Sequence, residues 1–230
     1  MDKKLENLMI DIGRSARDSS YGLAKISNDK RNEAIFFIAE SIENNIKMLL
    51  EANAKDIESA NKKNLSSSLI DRLMLNEERI LSMASSMRVI TEIPDPINQI
   101  MAEWSRPNGL IIKRLSVPLG VIGIIYESRP NVTSDAAALC IKSGNAVILR
   151  GGSESFESNK AIHFCLKEGI KKAKLDESIA QLVPTRDRDA VGFMLSSMSN
   201  YIDVVVPRGG KNLVRRVQDE ARIPVIGHLE

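Results

Sequence analysis

The chain has 230 residues, 43% of them hydrophobic and 27% charged, with a formal net charge of +2. That balance suits a globular protein with a sizeable core, and the near-neutral charge and 4% aromatic content argue against a nucleic-acid footprint. No apolar run reaches the roughly 18 residues of a membrane span.

Residues 2–93 carry helical periodicity throughout. Leu5, Leu8, Met9 and Ile12 repeat at one helical spacing, and Ile35, Ile38, Ile42, Ile46 and Leu49 at another. Asn28 or Asp29 is the expected cap of the second run, with shorter helical pieces at 53–64 and 69–75. A further helix over 77–90 is stopped by Pro94 and Pro96. Nothing in this region resembles chemistry.

The pattern changes after Pro96. Residues 97–104 and 110–117 flank Pro107-Asn108-Gly109, which favours a hairpin. Its edges need a cover, supplied by a partner subunit or by the chain itself.

The stretch 117–154 is the centre of the chain. Val121 to Tyr126 is apolar without alternation, as in a strand covered on both faces. The polar break Glu127-Ser128-Arg129-Pro130-Asn131 precedes a helix starting near Val132 and stopping at Gly144-Asn145. A second buried strand, 146–149, ends in Arg150-Gly151-Gly152-Ser153-Glu154. Helix and strand then alternate: a helix over 155–174, a strand over 179–183, a helix over 186–197 and a strand over 202–206. Pro207-Arg208-Gly209-Gly210-Lys211 closes that strand and leads into a helix over 212–221, and 223–227 starts one more strand. The alternation predicts an α/β fold with a doubly wound parallel sheet.

Ligands of such sheets bind at the carboxyl ends of the strands. Glycines in Arg150–Glu154 let a backbone approach a ligand closely, and a guanidinium suits a phosphate. Equally, the arginine could cap the turn or pair with Glu154. The loop at Pro207–Lys211 offers free N–H groups at a helix start beside Arg208 and Lys211. Together the two loops suggest one extended anionic ligand such as a dinucleotide, although neither a G-x-G-x-x-G fingerprint nor a Walker loop is present; Gly120 and Gly123 do not form one. The Asn131 amide could donate to a developing oxyanion or cap the helix that follows. Glu127, Ser128 and Arg129 could touch substrate or be solvated. Cys140 and Cys165 fall mid-helix on apolar faces, where a thiol is inert core, and their placement argues for a reducing compartment. His163 and His228 are too far apart in sequence to suggest a metal pair, and no ligand cluster is visible. The first residues, Met1-Asp2-Lys3-Lys4-Leu5, have no apolar leader, so the expected location is cytoplasmic, with no membrane partner.

The segment ESRPNVTSDAAALCIKSGNAVILRGGSES, the PRGG element at Pro207 to Gly210, the element Leu69-Ile70-Asp71-Arg72-Leu73 and the ending from Ile223 to Glu230 resemble the gamma-glutamyl phosphate reductase family of the aldehyde dehydrogenase superfamily. The resemblance implies an aldehyde-dehydrogenase-like cofactor domain at 118–230, preceded by a helical region at 1–96 and a hairpin at 97–117 serving as an oligomerisation arm. It implies NADPH-dependent reduction of L-glutamyl 5-phosphate to L-glutamate 5-semialdehyde in proline biosynthesis, through a thioester on a cysteine, with a functional link to glutamate 5-kinase and a homo-oligomeric state. Asn131 would then steady the oxyanion, with Ser128 and Arg129 beside the substrate. Arg150, Gly151, Gly152, Ser153 and Glu154 would meet the adenosine ribose and its 2′-phosphate, and Pro207, Arg208, Gly209 and Gly210 would lie by the cofactor. In that family the nucleophilic cysteine follows the Gly-His-Leu-Glu segment, so this chain is expected to carry the amino-terminal, cofactor-binding part and to be inactive alone. The alternative is a non-catalytic nucleotide-binding module derived from that enzyme; the ESRPN loop speaks against an aldehyde dehydrogenase for another substrate.

Overall fold

The structure, a computed structural model, describes residues 2–227. Five helices come first: α1 (Lys3–Leu23), α2 (Asn28–Asn44), α3 (Ile46–Lys62), α4 (Ser67–Leu73) and α5 (Glu77–Glu92). Ser27, not Asn28 or Asp29, caps α2, its hydroxyl accepting from the Lys30 N–H. The apolar run from Ile35 to Leu49 is two helices rather than one. The backbone leaves helical geometry at Asn45, whose amide turns back onto the Ser41 carbonyl, and α3 starts anew.

The strands β1 (Ile100–Ser105) and β2 (Ile111–Leu115) form the expected antiparallel hairpin, closed where Gly109 N–H donates to the Arg106 carbonyl. It lies outside the core: every residue of β1 is exposed, Trp104 by 42%. Packing within the chain therefore does not cover it.

The central sheet contains β3 (Val121–Tyr126), β4 (Ala146–Arg150), β5 (Ala180–Leu182) and β6 (Val204–Arg208), all parallel, in the order β5-β4-β3-β6. Helices α6 (Asn131–Lys142), α7 (Phe156–Lys172) and α8 (Asp189–Ser196) connect them, and α9 (Lys211–Glu220) follows β6. Residues 223–227 do not make a further strand. Val225 forms a single bridge to Val205, because Pro224 has no N–H to continue a ladder.

Side-chain alternation along the strands divides the core into two layers. Val147 and Leu149 face α2, α5, α6 and α7, whereas Ala146 and Ile148 face α1, α8 and α9. The helical N-terminal region thus covers both faces of the sheet instead of standing apart from it. Ile35, Ile38 and Ile42 of α2 are fully buried, each contributing about 1.5–3 kcal/mol of hydrophobic stabilisation. What this architecture positions is the carboxyl edge of β4, β3 and β6.

Candidate functional site

Strand register brings three loops to one level. Ile125 of β3 lies beside Arg150 of β4, and Tyr126 lies beside Arg208 of β6. The segments starting at Glu127, Gly151 and Gly209 therefore leave the sheet side by side, although they are far apart in sequence.

The central loop holds Asn131. Pro130 occupies the cap position of α6, and Asn131 is the first helical residue, with no side-chain capping bond. The amide therefore does not cap α6. Its Nδ2 instead donates to Asp135 Oδ2 at 3.0 Å, one helical turn on. One N–H is thereby held and the other stays available, so the side chain is oriented and can still donate to a ligand. Burial raises the Asp135 pKa, against hydrogen bonds from Asn131 and Ser134. Ser128 and Arg129 belong to the same loop; the Ser128 hydroxyl donates to Glu154 at 3.2 Å, which ties the β3 loop to the β4 loop.

Glu127, which the sequence left between substrate contact and solvation, is exposed and also makes a bond between loops. Its carboxylate crosses to the β6 loop and accepts from the Gly210 N–H at 3.0 Å. Gly210 is the cap of α9, so the expected anion-favouring helix end exists and an internal carboxylate sits on it. The neighbouring Arg208 and Gly209 are exposed.

Arg150 departs from the expected geometry. The side chain is only 6% exposed, and its guanidinium donates to the carbonyls of Gly151, Arg186 and Asp187. It clamps the β5–α8 segment from beneath rather than facing outward. Burial lowers its pKa, and its Nε has no partner among the described residues. In this structure the guanidinium braces the turn and does not pair with Glu154.

Gly151 is buried in this loop and Gly152 is half-buried. A side chain at Gly151 would collide with the Asn159 amide and the Tyr126 ring, so only glycine permits this approach. Beneath it runs a buried polar chain. The Tyr126 and Thr133 hydroxyls lie 2.7 Å apart, Thr133 donates to Asn159, and Asn159 donates to Ser155. Each member is satisfied, which makes the loop's support rigid. Burial pushes Glu154 up, but hydrogen bonds from Ser153 and Ser128 outweigh it, and the carboxyl stays below its ordinary value as an acceptor at the loop's tip.

A second support reaches in from the helical region. Asp56 accepts from the N–H groups of Glu157 and Ser158 at the start of α7, and from the Ser158 hydroxyl. Asn53 bridges the same Ser158 to the backbone of Leu73 and Leu75. These residues of α3 therefore position the end of the β4 loop, a role that sequence reading missed. The signal was two polar residues on a helix face otherwise facing the core.

Neither thiol can act here. Burial pushes Cys140 up to about 12 and Cys165 up to about 11, and both sit within helices. No group of metal-binding side chains occurs among the described residues, and no helix is long and apolar enough to cross a membrane. His163 bonds the Ala180 carbonyl, and His228 lies outside the described residues.

No family model matches the chain. Among curated proteins it is similar to the gamma-glutamyl phosphate reductases of Allorhizobium ampelinum and Paramagnetospirillum magneticum, with 53% and 54% identity over 226 residues. Each alignment covers 98% of this chain and 53% of the relative. Among solved structures it is similar to the gamma-glutamyl phosphate reductase of Thermotoga maritima, with a TM-score of 0.92 and 39% identity over 94% of this chain and 52% of that one. A propionaldehyde dehydrogenase of Clostridium phytofermentans shares the fold, with a TM-score of 0.73 at 18% identity over 95% of this chain and 46% of that one. The chain spans about half the length of the relatives it matches and corresponds to their amino-terminal part. The resemblance read from the sequence and the aldehyde-dehydrogenase-like fold are both borne out.

Proposed function

We propose that the chain carries the cofactor-binding half of an NADPH-dependent reduction of L-glutamyl 5-phosphate to L-glutamate 5-semialdehyde, with release of phosphate, in proline biosynthesis. The observation that carries this reading is the register of β4, β3 and β6, which brings the loops holding Asn131 and Gly152 and the start of α9 to one sheet edge. An elongated dinucleotide spans such an edge, with its reactive end toward the amide that can steady an oxyanion.

The residues present suit that cofactor in part. Gly151, Gly152, Gly209 and Gly210 admit close backbone approach, and Ser153 and Glu154 offer acceptors for ribose hydroxyls. Pro207 holds the β6 turn, Arg208 brings a free charge, and NADPH, when bound, supplies the hydride. Arg150 does not suit direct contact with a 2′-phosphate, since its guanidinium is spent on backbone carbonyls. Preference for NADPH then falls to the exposed cations bordering the loop, Arg186 and Lys160, which gather over the Phe156 ring at 4.3 and 5.5 Å.

The acyl transfer needs a thiolate that neither Cys140 nor Cys165 provides, so the 230-residue chain alone binds cofactor without turnover. The exposed hairpin serves as an arm for association with a second copy, and the protein acts in the cytoplasm, functionally linked to glutamate 5-kinase. Titration of the purified, folded chain with NADPH tests the reading: saturable binding without oxidation or reduction of substrate is expected. A folded chain that leaves NADPH fluorescence unchanged at every concentration would sink it.

A further inference from the structure

Beside Asn131, a cleft of about 360 Å³ opens between α4, α5 and the β3–α6 loop. Its wall from α4 and α5 includes Arg72, Arg79 and Ser86, and its opposite wall includes Arg129, Asn131 and Asp135. The three guanidinium groups differ in their commitments. Arg79 is held in place, bonded to Asp71 at 2.8 Å and to the Met74 carbonyl at 2.9 Å. Arg72 and Arg129 enter no ion pair among the described residues, so two cations face the cleft uncompensated. Two carboxylates line the cleft: Asp71, which is taken up by Arg79, and the half-buried Asp135, which enters no ion pair among the described residues. Leu75 lines the cleft and its N–H donates to Asn53, which ties the Arg72 wall to α3 and α7.

We propose that this cleft takes the α-amino-acid head of the substrate, with Arg72 receiving the α-carboxylate and Asp135 the α-ammonium. The inference rests on the reaction proposed above and names the residues that select its substrate. A planar guanidinium offers two parallel donors to a carboxylate, and the fixed Asp135 offers an acceptor to an ammonium. An acyl chain running from this head toward the sheet edge ends at Asn131. Arg129, two residues before Asn131 in the same loop, is then left for the acyl phosphate at the reacting end. The division of charge explains why the cleft needs both signs: a dicarboxylate without an amino group would leave Asp135 facing it unpaired, at a cost.

The test uses the full 230-residue chain and L-glutamate, a stable molecule with the same head, followed by NMR shift titration. Glutarate, which lacks the amino group, and 4-aminobutyrate, which lacks the α-carboxylate, serve as comparisons. L-glutamate is expected to bind about tenfold more tightly than either. Arg72→Gln is expected to lower L-glutamate affinity about tenfold while leaving 4-aminobutyrate unchanged, and Arg72→Lys to restore part of the loss. Equal affinity for the three compounds, no shift with L-glutamate, or an Arg72→Gln variant binding L-glutamate as the parent does, overturns the assignment. Parallel NADPH titration separates the two readings. Intact NADPH binding with any of those results overturns the cleft alone, whereas a chain that takes L-glutamate and not NADPH overturns the cofactor reading and leaves the cleft standing.

Discussion

The Glu127 carboxylate and the Gly210 N–H, 83 residues apart in sequence, are joined at 3.0 Å across the ends of two neighbouring strands. The bond lays a negative charge on the N-terminus of α9, where an anionic ligand would be drawn. On the proposed cofactor reading, Glu127 and a cofactor phosphate compete for one donor.

Removing that charge should favour the ligand. Glu127→Gln is expected to tighten NADPH binding by about two- to fivefold, the scale of a single charge at a helix end. Binding of uncharged adenosine should not change. Fluorescence titration decides, and an NADPH affinity unchanged or weakened would show that the carboxylate does not occupy the phosphate position.

Arg150→Ala is expected to weaken NADPH and NADH by similar factors, because the clamp on Arg186 and Asp187 supports the loop without touching the cofactor. The same change should lower folding stability by about 2 kcal/mol, because the carbonyls of Gly151, Arg186 and Asp187 lose a charged donor. A loss confined to NADPH, measured by calorimetric titration, would mean instead that the guanidinium swings out to a 2′-phosphate.

The two thiols should be silent in the folded chain. A thiolate is the reactive form, and burial keeps Cys140 and Cys165 protonated far above neutral pH. With a disulfide reagent, both are expected to react only after denaturant is added. Rapid modification under native conditions would reopen them as nucleophiles.

His163 makes stability depend on pH. Burial lowers its pKa below 6.5, opposed by the bond to the Ala180 carbonyl, with Lys167 lowering it further and Glu177 raising it. The folded state thus favours the neutral ring. The stability it contributes is present above pH 6.5 and is lost as pH falls through the folded value. Melting curves from about pH 8 to about pH 5 should show a decline that shrinks in His163→Gln, which keeps a donor for Ala180 and cannot titrate. Identical slopes for both chains would remove His163 as the cause.

Much of the fold was legible because its signals are local. Unbroken apolar runs announce β3, β4 and β6, the Pro107-Asn108-Gly109 turn announces the hairpin, and strand-helix alternation announces a parallel sheet. Local signals fail where two readings share a pattern. Periodicity runs through Asn45 without showing the break between α2 and α3, and Ser27, Asn28 and Asp29 are all good caps. The bridge at Val225 replaces a strand because Pro224 interrupts pairing, a cue that was present in the sequence.

The sequence by itself determined which loops share one edge of the molecule: strand-end loops of a parallel sheet gather there. Tertiary structure alone decided what each side chain in those loops does. Arg150 turns inward because carbonyls 36 and 37 residues away need its donors, and Glu127 is drawn to a helix end 83 residues away. The cleft containing Arg72 and Asp135 likewise exists only once α4, α5 and α6 are packed together. Such choices depend on which donors and charges folding brings within a few ångströms, and residue spacing along the chain carries no record of them.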